Sequence, residues 1–135
     1  MENRFEEIEH TADVAIRVWG QDLVELFANA AYGMASMLAD LDELVPTVSR
    51  TIDLEAEDVE ILLVDWLSEL LFLGERDNLV FARVDRLEVS PNRLGATVLG
   101  GSVQEQRRHI KAVTFSELDI RQTNKGYETV VVFDV

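Results

Sequence analysis

Two acidic residues lie directly beside apolar strand patterns near opposite ends of the sequence. Asp13 precedes the alternating segment 14–19, and Asp134 follows the apolar run 130–133. Val135 is the last residue, so its α-carboxylate would lie one residue from the side chain of Asp134. If the last strand pairs near the start of segment 14–19, three carboxylate groups converge. Such a cluster needs a cation or altered protonation, and oxygen-rich sites favour hard divalent cations such as Ca²⁺.

The same residues also have a simpler interpretation. Asp13 could cap a turn, and Asp134 could be solvated at the edge of the domain. His10 could ligate a metal or carry a proton, but it could equally be a surface turn residue. Asp65 and Glu69 lie one helical turn apart and could share a metal, although the solvated stripe of a helix is the more common arrangement.

Lys111 is the third candidate for chemistry. It lies in the apolar segment HIKAVTF, residues 109–115, and is one of two lysines in the chain. Beside an anionic cluster, a partly buried lysine would balance charge or contact a phosphate group. The alternative is a strand lysine whose stem lies on apolar surface while its ammonium group reaches water.

The composition predicts one globular domain over residues 1–135, with 47% hydrophobic and 28% charged residues. The formal net charge is −14, and residues 1–60 hold 15 acidic and three basic residues. This acidity disfavours stable direct binding of nucleic acid and favours a cation or a basic partner. The absence of cysteine excludes disulfides and thiolate chemistry, and no P-loop or Rossmann fingerprint is present. Without a signal peptide or a long apolar run, a cytoplasmic protein with no membrane partner is expected.

Hydrophobic periodicity predicts an α+β fold, with a mainly antiparallel sheet layer or layers and two largely buried helices. Asp22 and either Glu57 or Asp58 are the expected helix N-caps, a bulge is expected near 85–86, and a hairpin turn at 123–126. The predicted order is ββαβαββββ, over residues 5–9, 14–19, 22–38, 47–56, 59–77, 79–90, 93–103, 109–120 and 127–135.

Five ordered segments together resemble the archease family over nearly the whole chain. Five segments in order and at compatible spacing are far more specific than any one of them. They are EHTADV at 9–14, WGQDLVELFANAAYGMASMLAD at 19–40, EILLVDWLSELLFL at 60–73, IKAVTF at 110–115 and VVVFDV at 130–135.

The resemblance implies an accessory factor rather than an enzyme. Archeases are small α+β proteins that activate RtcB-type RNA ligases, which join RNA ends in tRNA splicing and RNA repair. They promote guanylylation of the ligase by GTP and sustain multiple turnover. The partner implied for this chain is therefore an RtcB-type RNA ligase.

The resemblance also implies a metal site and an activating residue. The family binds a divalent metal, typically Ca²⁺, through residues that correspond here to Asp13, Asp134 and Val135. The lysine of the family's KAVT motif corresponds to Lys111, with a role in activating the ligase. One departure is visible, because this chain has Ser116 where the family commonly has histidine.

Two other classes of function stay open at this stage. A metal-dependent hydrolase acting on nucleotides or RNA ends would use the same acidic residues. Against it, the sequence offers no obvious base, nucleophile or phosphate-binding loop. The other alternative is a general acidic chaperone or binding module.

Overall fold

The computed structural model describes residues 4–9 and 13–135, and their elements confirm the predicted α+β class. A short 3₁₀ turn, Leu41–Glu43, follows the first helix. The elements in chain order are β1 Phe5–Glu9, β2 Val14–Gly20, α1 Leu23–Leu38, β3 Val48–Glu55, α2 Val59–Asp77, β4 Leu79–Ser90, β5 Arg93–Ser102, β6 Ala112–Thr114, β7 Arg121–Thr123 and β8 Gly126–Asp134.

The strands form two antiparallel sheets. One sheet has the order β1-β2-β8-β6, with β7 also paired to β8, and the other has the order β3-β5-β4. Helix α1 contacts β2 of the first sheet and β4 of the second, and α2 contacts β4, β3 and β6. Both helices therefore share a hydrophobic core with both sheets, which explains why so little of either helix is polar.

Both helices begin at the aspartates that the sequence indicates. The side chain of Asp22 accepts a 2.8 Å hydrogen bond from the Glu25 amide, and that of Asp58 accepts a 2.9 Å bond from the Ile61 amide. The largest fully buried side chain is Trp66, whose indole N–H donates to the backbone oxygen of Phe27 at 3.0 Å. Among the described residues, neither helix is both long and apolar enough to cross a membrane.

The segment 109–120, predicted as one strand, is divided in the structure. Only Ala112–Thr114 pairs with β8 there, and a turn follows in which Glu117 has a φ of 60°. The apolar alternation has another cause, because Leu118 and Ile120 pack on the core from a loop. The short strand Arg121–Thr123 then forms the predicted hairpin with β8.

The predicted bulge in β4 is confirmed as a shift in register. The pairing of β4 with β5 slips between Val84 and Arg86, and again between Phe81 and Arg83. A bulge of this kind increases the local twist of a strand. It lets β4 begin in the core, with Leu79, Val80 and Phe81 buried, and end at the surface.

Gly126, at the start of β8, generates a prediction about how this strand is held. Its φ is 132°, and an added Cβ would collide with the backbone oxygen of Gly20. We expect Gly126→Ala to lower the free energy of unfolding by about 1–3 kcal/mol, because the backbone would be strained. Gly95 is the matched control, since a Cβ there would meet Asp53 at an ordinary 3.4 Å. Urea denaturation of both variants checks this, and equal midpoints would contradict it.

Candidate functional site

The register of strand β8 determines which residues meet at one end of the first sheet. Val14 of β2 is paired with Phe133 of β8, and Ala112 of β6 is paired with Asp134. Asp13 precedes Val14, so it lies one step beyond the last registered pair, at the end of the sheet that carries Asp134. The sequence predicts that Asp13 and Asp134 converge if β8 pairs near the start of β2, and the structure has this strand pairing.

Lys111 lies at the same end of the sheet, on the other side of β8. Its backbone N–H donates a 2.7 Å hydrogen bond to the backbone oxygen of Asp134. This bond fixes the main chain of Lys111 against the strand that carries the candidate ligand. The side chain of Lys111 is exposed rather than partly buried, so its ammonium group is available to solvent or to a partner.

Exposure at the site suits contact with a ligand or a partner. Asp134 is exposed, whereas Asp13 and Val135 are half-buried. Directly behind them, Val132 and Phe133 have no exposed surface. Polar groups at the end of a buried strand are thus held on a rigid support, which is the arrangement that preorganises a binding site.

The donor atoms of the site are oxygens. The side-chain carboxylates of Asp13 and Asp134 are donors suited to a hard cation such as Ca²⁺ or Mg²⁺. Within residues 4–9 and 13–135, no three or more His, Asp or Glu side chains are grouped so that they could hold a metal. A metal at this place therefore requires a donor beyond the described acidic and histidine side chains.

The other candidates from the sequence have different outcomes. His10 and Thr11 lie outside the described residues. Asp65 and Glu69 are on α2 and only partly exposed, and they belong to no three-ligand group among the described side chains. The position of the family's histidine, Ser116, is exposed in the turn after β6.

Thr114 has a positioning role that the sequence did not indicate. Its hydroxyl donates to the backbone oxygen of Val132 at 3.0 Å and accepts from the Ser116 amide at 3.2 Å. The side chain therefore ties the end of β6 to β8 and starts the turn that follows. A threonine in a strand pattern has many uses, so only the strand pairing reveals this one.

Comparisons with known proteins agree with one another. The model of the Archease protein family (MTH1598/TM1083) matches residues 5–135. Protein archease of Methanosarcina barkeri is 37% identical over 140 residues, which cover 98% of this chain and 96% of that protein. Protein archease of Thermococcus gammatolerans is 35% identical over 130 residues, with 91% and 92% covered.

Solved structures give the same result for the fold. The solution structure of Methanobacterium thermoautotrophicum protein 1598 matches with a TM-score of 0.83 and 29% identity, over 99% of this chain and all of that one. The crystal structure of a Thermotoga maritima protein, described as an archease and possible chaperone, matches with a TM-score of 0.69. At 23% identity over 96% of each chain, that second likeness concerns the fold alone.

The two lysines allow a direct test of the register at the site. Lysine-selective ¹⁵N labelling should give two backbone amide signals, from Lys111 and Lys125. We expect the Lys111 amide to exchange with solvent at least about ten times more slowly, because it donates to the backbone oxygen of Asp134 next to β6, whereas the Lys125 amide donates to the Thr123 hydroxyl in an exposed hairpin turn. Hydrogen exchange followed by NMR measures both rates. Equal rates would contradict the pairing of residue 111 with β8.

Proposed function

This chain belongs to the archease family, and from that premise we propose that it activates an RtcB-type RNA ligase in tRNA splicing and RNA repair. The proposed activity is to promote guanylylation of the ligase by GTP, so that each ligase molecule completes many turnovers. The protein would act as an accessory factor in the cytoplasm rather than as a ligase itself. The observation that carries the proposal is the meeting of Asp13, Asp134 and Lys111 at one end of the first sheet.

The proposed metal ligands are Asp13, Asp134 and the α-carboxylate of Val135. Their chemistry fits the proposal, because all three are hard oxygen donors carried by or next to paired strands. A divalent cation bound there, Ca²⁺ in the first instance, would supply positive charge to phosphate oxygens. The two aspartates would hold that cation at the surface, where a second protein can approach it.

Lys111 has a separate part in the proposed mechanism. Its exposed ammonium group would approach the phosphate groups that carry developing negative charge during guanylylation of the ligase. The backbone bond from Lys111 to Asp134 keeps the base of this side chain beside the proposed metal ligands. Lys111 and the residues that would hold the cation therefore lie at the same end of the first sheet, where both can act on the phosphate groups of the guanylylation reaction.

A guanylylation assay under turnover conditions tests the proposal. We expect Asp13→Ala, Asp134→Ala and Lys111→Ala each to reduce activation of the ligase by about ten-fold or more, because each removes a group that acts on phosphate charge. The matched controls are Asp53→Ala, on the other sheet, and Lys125→Ala, in the β7-β8 turn. Both controls should activate the ligase normally.

A pair of variants at the last residue separates its carboxylate from its side chain. Val135→Ala keeps the α-carboxylate in place and should activate the ligase, whereas one glycine added after Val135 displaces the carboxylate and should not. Normal activation by all three of Asp13→Ala, Asp134→Ala and Lys111→Ala would overturn the proposal. Consumption of GTP or RNA by this protein and a divalent metal, with the ligase absent, would favour the hydrolase alternative instead.

A further inference from the structure

A short basic segment stands out in this acidic chain. Residues 107–111 read RRHIK and contain Arg107, Arg108, His109 and Lys111, whereas residues 106–116 contain no aspartate or glutamate. The chain as a whole has 26 acidic and 12 basic residues, so a stretch of this kind is not its general surface. We call residues 107–111 the basic segment.

Most arginines elsewhere in the protein are neutralised by an acidic neighbour. Within residues 4–9 and 13–135, the Arg or Lys side chains that form no ion pair are Arg83, Arg107, Lys111 and Lys125. Two of these four lie in the basic segment, and all four are exposed. The basic segment therefore exposes positive charge that is not neutralised by an ion pair within the described residues.

The basic segment is held rigidly at both ends and in the middle. The Arg107 amide donates to the backbone oxygen of Leu38 at 2.8 Å, and the Lys111 amide donates to that of Asp134 at 2.7 Å. Between them, Ile110 has no exposed surface, and Arg108 forms a 2.6 Å ion pair with Glu7. Arg108 and Ile110 thus anchor the segment, while Arg107, His109 and Lys111 are left on the exposed side.

From this arrangement we infer that the basic segment binds the phosphate backbone of single-stranded RNA. Exposure alternates along residues 107–111, as it does in an extended chain whose alternate residues are about 6.6 Å apart, so the side chains of Arg107, His109 and Lys111 would span at most about 13 Å. Successive phosphates of an extended single strand repeat on a similar scale, whereas the phosphates of one nucleoside triphosphate cover less than this. Arg107 and Lys111 would each neutralise one phosphate, and the His109 ring would donate a hydrogen bond between them.

The inference is compatible with the net charge of the protein. At an ionic strength of about 0.1 M, charges more than about 10 Å away are largely screened, so the basic segment and its immediate neighbour Asp134 decide whether a phosphate can approach. Two charged contacts give weak binding that is sensitive to salt, which agrees with the expectation of no stable complex with nucleic acid alone. The choice of RNA among polyanions rests on the proposed function, whose partner joins RNA ends.

Fluorescence anisotropy with a 12-nucleotide uridylate RNA tests the inference, with ligase and divalent metal absent. Two phosphate contacts predict that the logarithm of the binding constant falls with the logarithm of salt concentration with a slope of about −1.4. The double variant Arg107→Gln/Lys111→Gln should bind about ten-fold more weakly at about 0.1 M salt, with a slope near zero. Equal urea midpoints for wild type and variant would establish that both are folded.

The matched control is Arg83→Gln/Lys125→Gln, which removes the other two unpaired cations and changes the net charge equally. We expect this control to bind RNA within about two-fold of wild type and with the same salt slope. Equal losses in the two double variants, or no binding by wild type at about 0.1 M salt, would overturn the inference. A glutamate peptide with the same net charge as the RNA is the competitor. If unlabelled RNA and this peptide displace the labelled RNA equally well, the inference is overturned in favour of binding to an acidic protein segment. Because the ligase is absent, failure here is distinguishable from failure of the activation assay.

Discussion

The antiparallel pairing of β8 with a strand on each side is the constraint on which the rest of the structure depends. Residues Val131, Val132 and Phe133 are completely buried, so the strand is apolar on both faces. β2 pairs along one edge of β8, and β6 and β7 pair along the other. A slip of one residue would take Val131 and Phe133 out of the core that they share with the helices and bring Asp134 to the place of Phe133, so burial fixes the register strongly.

The position of the polar residues follows from this register. Strand β8 ends at Asp134 directly after three buried residues, and the segments on either side of it bring Asp13 and Lys111 to the same end. The side chain of Thr114 adds a bond between β6 and β8 near this end. Charged groups are thus concentrated at one rim of an apolar layer, where they keep access to solvent and to a partner protein.

Local signals in the sequence were sufficient for much of the fold. Asp22 was recognisable as a helix cap, and Asp58 as one of two adjacent candidates, because capping depends on a few neighbouring residues. The approach of Asp13 to Asp134 at one end of the sheet could be stated only as a condition, because residues so distant in sequence come together through strand pairing. The division of segment 109–120 was not predictable, since Leu118 and Ile120 imitate a strand pattern from a loop and the positive φ of Glu117 has no signal in its side chain.

The proposed function depends most on a metal bound at the end of β8, and the strongest test is to locate that metal directly. Crystals of the full chain grown with Mn²⁺, as a substitute for Ca²⁺, can be measured at the manganese absorption edge. We predict an anomalous peak in contact with the carboxylate oxygens of Asp13, Asp134 and Val135, at metal–oxygen distances of about 2.0–2.6 Å. Ordered carboxylates with no peak between them, or a peak only at Asp65 and Glu69, would contradict the account.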